Sequence, residues 1–422
     1  MQNDPVQEGS SRAAVAEAPV SADGVAGEPR PADLHDATAP TSPPPPRWRL
    51  GNRPPLTGIR APLMAFVLVF HSNYRTLPGS WISLGLFFVL SGFLITAMLA
   101  GEHQRTGGVS LRNFYSRRAV RLLPPLFITV ALLAVYASVH RVFSAANDLW
   151  TDVAAAVFYF ADYRSALGHE PAIAYLSQCW SLAVEEQFYL LWAILLFVAL
   201  RYASRRAAYL IAAVGVLAAV GDRLYVVLSA PRWDALVAAR AYYAFDTRAD
   251  ALFLGCLLGL LATGGHLDGW GPLARRALSV AALASTVVLV WILLHVGLGD
   301  RGLPLWWVPV SEVAAVVLIT FLLVHPMSWT ARLLGLPVLV LLGNTTYAVY
   351  LFHWPVYVAL SQFTVSWPFW ELETVRVVII LSLALASWFL VEKPLMAWRR
   401  RRFAGGGPEA VPERVAPALA PP

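Results

Sequence analysis

Charge is what this sequence has least of. Only 14% of its 422 residues are Asp, Glu, Lys or Arg, against 58% hydrophobic, and the mean hydropathy is +0.58. Those proportions exclude an ordinary soluble domain and leave a multi-spanning membrane protein. Cysteine is nearly absent as well. Cys179 and Cys256 form no CxxC pair, and no His, Cys, Asp and Glu stand at a recognised ligand spacing, so neither a metal site nor a bound cofactor is expected. Residues 1–46 lack any apolar run; rich in Ala, Pro and acidic residues and ending in four prolines, they read as a disordered arm. No signal peptide is visible, so the first membrane helix is expected to direct insertion. A net charge of +6 and a pI near 9.4 would suit a polyanion, but the arginines lie between apolar segments, where they set orientation instead. Nucleic acid is set aside as a partner.

What the chain has is long apolar segments. Ten of them, at about 57–75, 80–100, 121–140, 181–200, 207–229, 248–264, 277–296, 308–325, 337–361 and 374–392, approach the ~20 residues needed to cross a bilayer. The expected fold is an all-α integral membrane protein, a bundle of about ten transmembrane helices over residues 47–402, with a disordered tail at 403–422. An eleventh segment, Ala154–Tyr163, is short and interrupted by Asp162. If it stays on one side, Arg112/Arg117/Arg118/Arg121, Arg201/Arg205/Arg206, Arg275/Arg276, Arg332 and Arg399–Arg402 share the side of the amino terminus. If it crosses, three of those clusters move outside, against the positive-inside tendency. Ten spans are therefore expected in the plasma membrane, both termini cytoplasmic, with residues 141–180 as an outer loop carrying an interfacial or re-entrant piece. Few residues follow the last span, so any activity is expected within the membrane region.

The polar residues inside these segments are the candidate machinery, because ionisable groups in a bilayer are costly. Arg60 and His71 bracket ten almost wholly apolar residues and as a helix lie roughly 16 Å apart. Phe114–Pro125 carries Arg117, Arg118 and Arg121 at the cytoplasmic approach to the third span, with Pro124 and Pro125 expected in its first turn. Arg118 and Arg121 share a helix face, and guanidinium forks suit phosphate. Trp180–Tyr189 places Glu185 and Glu186 in the fourth span about 100° apart, so one is expected to face His71 and the other the outer water. Ser91–Gly92 sits mid-span, chiefly for packing, with Ser91 as a nucleophile a subordinate reading. Arg248 and Asp250 do not share a face and are expected to pair elsewhere. Tyr347, Tyr350 and His353 lie in the ninth span before Pro355, and Glu392 closes the tenth as a structural residue. Under the ten-span topology the arginines form a cationic mouth inside, with His71, Glu185, Glu186, Asp250 and His353 as a titratable cluster roughly 15 Å above it.

Arg60-x10-His71, FFVLSGFLI, FYSRRAVRLLP, WSLAVEEQFY, RAD with Gly255, YAVYLFHWP and VEKP occur in the order of acyltransferase family 3, which the chain resembles over about residues 56–400. The family's members are integral-membrane O-acyltransferases of surface glycans, peptidoglycan, nodulation factors and macrolide sugars. The resemblance implies a membrane-bound transfer of an acyl group from acyl-CoA, acetyl from acetyl-CoA first among candidates, to a hydroxyl of a carbohydrate, glycolipid or glycosylated natural product. It implies His71 as catalytic base with Arg60 as its partner, Glu185 in support, and Arg118 and Arg121 at the acyl-CoA. Glu186, Arg248, Asp250, Tyr347 and His353 are expected to support the site or bind the acceptor. Some members carry an appended esterase-like domain; this sequence resembles the stand-alone ones. Two other classes compete: a proton-coupled secondary transporter or exporter, which would build a relay from the same buried charges, and a polyprenyl-linked glycan ligase.

Overall fold

The computed structural model describes residues 51, 53–73, 75–140, 146–169, 175–363 and 366–403. The expected amino-terminal arm and nearly all of the expected tail lie outside them. Among the described residues every regular element is helical. In chain order these are α1 (Pro54–Gly58), α2 (Arg60–Ser72), α3 (Ile82–Thr106), α4 (Leu111–His140), α5 (Ala146–Val157), α6 (Ala161–Ala166), α7 (Cys179–Tyr202) and α8 (Arg205–Ser229). There follow α9 (Ala235–Tyr243), α10 (Phe245–Thr263), α11 (Pro272–His295), α12 (Val308–Val324), α13 (Trp329–Leu334), α14 (Pro337–Ala359), α15 (Phe369–Ser387) and α16 (Lys393–Phe403).

Eight of the helical segments are long and apolar enough to cross a membrane. The other two of the ten are α10 and α14, of 19 and 23 residues. They read as less apolar because α10 carries Asp246, Arg248 and Asp250, and α14 carries the Asn344–Thr346 run and His353. Arg248, Asp250, Thr345, Thr346 and His353 turn inward, where other helices meet them, whereas Asp246 stays part-exposed and pairs with Arg240. The segment around Ala154 ends α5, whose 12 residues reach only ~18 Å, too short to span.

Two apolar clusters form the interior. One is built chiefly from α3, α8, α10, α11 and α12, the other from α2, α4, α14 and α15, and α7 contributes to both. Contact between α3 and α10 is backbone to backbone. A Cβ on Gly92 would overlap the Leu252 carbonyl, and one on Gly255 the Val89 carbonyl, so glycine is what lets these helices close.

One expectation about α4 is corrected. The helix begins at Leu111 rather than near Arg121, so Pro124 and Pro125 lie in its interior. Two missing N–H groups leave two carbonyls without intrahelical donors one turn earlier, and the disruption falls beside Arg121.

Candidate active site

The spacing of Arg60 and His71 has a geometric meaning: eleven residues is three helical turns with about 20° left over, so both project from one face of α2. Met64 and Val67 fill the same stripe between them. Around the Arg60 end, α2, α3, α4, α7 and α14 leave a cleft of about 760 Å³, counted to its open mouth. Its polar wall comprises Arg60, Ser91, Arg118, Arg121, Ser181, Glu185, Tyr189, Thr346, Tyr347 and Tyr350.

Within it the charges pair unequally. Arg118 donates to Glu186 at 2.5 Å and lies 3.5 Å over the Tyr189 ring. Glu185 accepts from the Ser91 hydroxyl at 2.8 Å. Arg60 and Arg121 have no carboxylate within ion-pair distance among the described residues, and the Nε of Arg60 is buried without a hydrogen-bond partner. Two guanidiniums without ion-pair partners thus line one cleft, and their planar forks are of a kind that suits an anion.

The hydroxyls along the wall have fixed directions. Tyr350 spends its one proton on the Gln178 carbonyl at 2.7 Å, so Ser181, 2.6 Å away, donates to the Tyr350 oxygen. Tyr347 donates to the Leu122 carbonyl at 3.0 Å.

His71 lies outside the cleft lining. Its Nδ1–H donates to the Val67 carbonyl at 2.9 Å, which leaves Nε2 with the lone pair. The His353 ring is 5.0 Å away and the Trp354 ring also 5.0 Å. His353, fully buried, repeats the arrangement: its Nδ1–H donates to the Tyr350 carbonyl at 2.6 Å, and its Nε2 has no partner among the described residues. Beyond this pair Tyr357 donates to Glu373 at 2.9 Å, and Arg376 donates to the other oxygen of Glu373 at 2.6 Å. The tyrosine and this ion pair tie the end of α14 to the beginning of α15. Sequence reasoning passed over them, although Glu373 and Arg376 at i and i+3 in an apolar segment are a visible signal.

Three expectations are corrected. Glu185 does not face His71; it meets Ser91 within electrostatic reach of Arg60 and Arg118. Glu186 does not look to outer water; it is the partner of Arg118. The separation into a cationic mouth with a titratable cluster above it therefore fails, because α4 carries Arg118 deep enough to meet carboxylates entering from the other end of α7. Unpaired charges in a low-dielectric bundle are expensive, and mutual neutralisation is the physical reason. Arg248 and Asp250 avoid each other as expected but sit apart from the cleft lining. Arg223 on α8 meets Asp250 at 2.6 Å, Arg248 approaches Glu312 on α12 at 3.8 Å, and all four are at most 1% exposed. They form a sealed network between helices, and its members Arg223 and Glu312 escaped the sequence reading. Glu392 is buried and accepts from Ser387 at 3.0 Å.

Comparison with known proteins follows the same segments. O-acetyltransferase OatA of Staphylococcus aureus is 28% identical over 332 residues, 74% of this chain and 52% of that protein. Peptidoglycan O-acetyltransferase OatA of Listeria monocytogenes is 29% identical over 320 residues, 72% of this chain and 49% of that protein. The chain thus spans about half the length of the curated relatives it matches. No solved structure matches it. The family described as "Acyltransferase domain" matches residues 56–393, the whole membrane region from α1 to the start of α16. The chain belongs to this family, acyltransferase family 3.

Proposed function

We propose that the protein is a membrane-bound O-acyltransferase that moves an acyl group, acetyl by the names of its relatives, from acyl-CoA to a hydroxyl of a carbohydrate acceptor. The observation that carries the donor half is the cleft's cationic surplus: Arg60 and Arg121 line it without carboxylate partners, as groups waiting for phosphate would. Arg118, held by Glu186 and Tyr189, supplies a third donor fork at a fixed place. His71 acts as general base on the acceptor hydroxyl. Its Nε2 lone pair, set by the Val67 carbonyl, is the atom that takes the proton, and His353 packs beside it. Peptidoglycan is the acceptor named for the Listeria relative, and a glycan of the cell envelope is the acceptor class proposed here. The protein would sit in the plasma membrane with both termini cytoplasmic, so that donor phosphates approach from the cytoplasm and the imidazole pair lies toward the outer face.

The test incubates membranes containing the full chain with labelled acetyl-CoA and longer acyl-CoAs and follows label into glycan and glycolipid fractions. Transfer that His71→Ala lowers by roughly 10²–10⁴-fold, the usual worth of general-base help, is the expected result. Undiminished transfer by that variant removes His71 from the mechanism. Ion-gradient-dependent flux without loss of CoA ester would favour the transporter reading instead.

A further inference from the structure

Basic residues at the end of a membrane helix commonly do no more than set orientation, and for that charge alone suffices. The helix α16 carries more than charge. It follows the last span through the π-helical turn Trp388–Glu392. Arg399, 5% exposed, pins it to the beginning of α4 by donating to the Ser116 hydroxyl at 3.2 Å and to the Asn113 carbonyl at 3.4 Å. The three arginines that follow are exposed. Among the described residues, none of Arg400, Arg401 and Arg402 has a carboxylate in ion-pair range.

The exposed side of this segment is graded in polarity. Leu390, Pro394, Trp398 and Arg402 succeed one another at steps of four, about one helical turn each, and all are exposed, Leu390 by 75% and Trp398 by 54%. From Leu390 to Arg402 is roughly 18 Å along the helix, close to the ~20 Å between the midplane of a bilayer and the outside of its headgroups. Aliphatic, aromatic and cationic groups thus come in the order in which one leaflet presents acyl chain, interface and phosphate. The Arg402 guanidinium lies 6.0 Å over the Trp398 ring, so the aromatic and charged parts are continuous.

We propose that this face of α16 binds an anionic phospholipid, its phosphate held by Arg401 and Arg402 and its chain laid along Trp398 and Leu390. A soluble phosphate or a nucleic acid would gain nothing from the lower half of the stripe. The site is separate from the cleft, whose lining includes none of these residues.

The experiment strips the full chain of lipid in detergent, titrates it with phosphatidylglycerol or phosphatidylcholine of matched chains, and counts bound lipid by native mass spectrometry. The wild type should prefer phosphatidylglycerol, and salt should weaken that preference. Replacing both Arg401→Gln and Arg402→Gln should lower phosphatidylglycerol affinity by roughly 30-fold, at about fivefold for each basic residue near an anionic surface. Arg400, about 200° round the helix from Trp398, is the control, and Arg400→Gln should cost less than about twofold. Trp398→Ala should weaken both lipids alike and leave the preference intact. Equal binding of the two lipids by the wild type, or a preference that survives the double substitution, overturns the proposal. So does an equal loss from each of the three arginines, which would mean diffuse charge that only sets orientation. Unchanged binding of both lipids by Trp398→Ala removes the apolar half of the site and overturns it too. Displacement of phosphatidylglycerol by an equal concentration of inorganic pyrophosphate does the same, because a soluble anion would then suffice.

Discussion

Arg118 and Arg121 are three residues apart on one face of α4, yet they have different electrostatic situations. Arg118 is neutralised by Glu186, whereas Arg121 faces the cleft without a carboxylate in ion-pair range among the described residues. An incoming phosphate therefore gains more from Arg121. A hydrogen bond to a charged group contributes about 1.5–3 kcal/mol, so Arg121→Ala should raise KM for acyl-CoA by roughly 10- to 100-fold. Arg121→Lys should recover only part of that, since lysine keeps the charge but loses the fork. A steady-state titration of acyl-CoA at saturating acceptor measures both. Glu186→Gln should act differently, by freeing Arg118 and making donor affinity more sensitive to salt. At this scale the sequence was informative about residue type and poor about partners. The 100° between Glu185 and Glu186 was legible, and so was their divergence. Which neighbour each meets depends on how far α4 penetrates, and α4 starts ten residues before the apolar segment that announces it.

Helix pairs show the same division. Ser91–Gly92 of α3 was readable as a packing site, and the structure makes the requirement severe and extends it to α10: Gly92 and Gly255 each place a backbone where a side chain would be. Gly255→Leu should separate α3 from α10 and carry Ser91 with it. Overpacking of this kind costs about 1–3 kcal/mol or more, expected as a lower melting temperature and loss of the monodisperse peak in detergent. Gly221, inside α8, has open space where its Cβ would lie. Gly221→Ala should gain about 0.5–1 kcal/mol from helix propensity alone, and the same thermal scan distinguishes the two. The short helices α5 and α6 add a pH dependence. Burial pushes the Asp162 carboxyl up to about 6, despite the hydrogen bonds it accepts from backbone N–H groups and from Gln187. A carboxyl raised in the folded state favours its protonated form. Its contribution to stability is therefore full below the ordinary carboxylate range near 4 and is lost as pH rises to about 6. Asp162→Asn should melt like the wild type at pH 4 and above it at pH 7.

For the molecule as a whole, hydropathy made the bundle legible and left its interior ambiguous, since α10 and α14 read as weaker spans because they carry polar groups that the bundle buries. Orientation is the remaining whole-molecule expectation, and α11 offers a compact test. Its amino-terminal end at Gly271 is followed by Arg275 and Arg276, while the loop beyond its other end, at Gly299, lies near no such cluster except Arg301. The positive-inside tendency therefore puts Gly271 in the cytoplasm and Gly299 outside. Both glycines are exposed and have open space where a Cβ would go, so Gly271→Cys and Gly299→Cys should fold normally. The two natural cysteines are 2% and 0% exposed and give little background. A membrane-impermeant maleimide applied to intact cells should label Gly299→Cys at once and Gly271→Cys only after permeabilisation. The opposite pattern would invert the bundle, placing Arg121 at the outer face and His71 toward the cytoplasm, and a cytoplasmic acyl-CoA would then meet the imidazole pair before the guanidiniums.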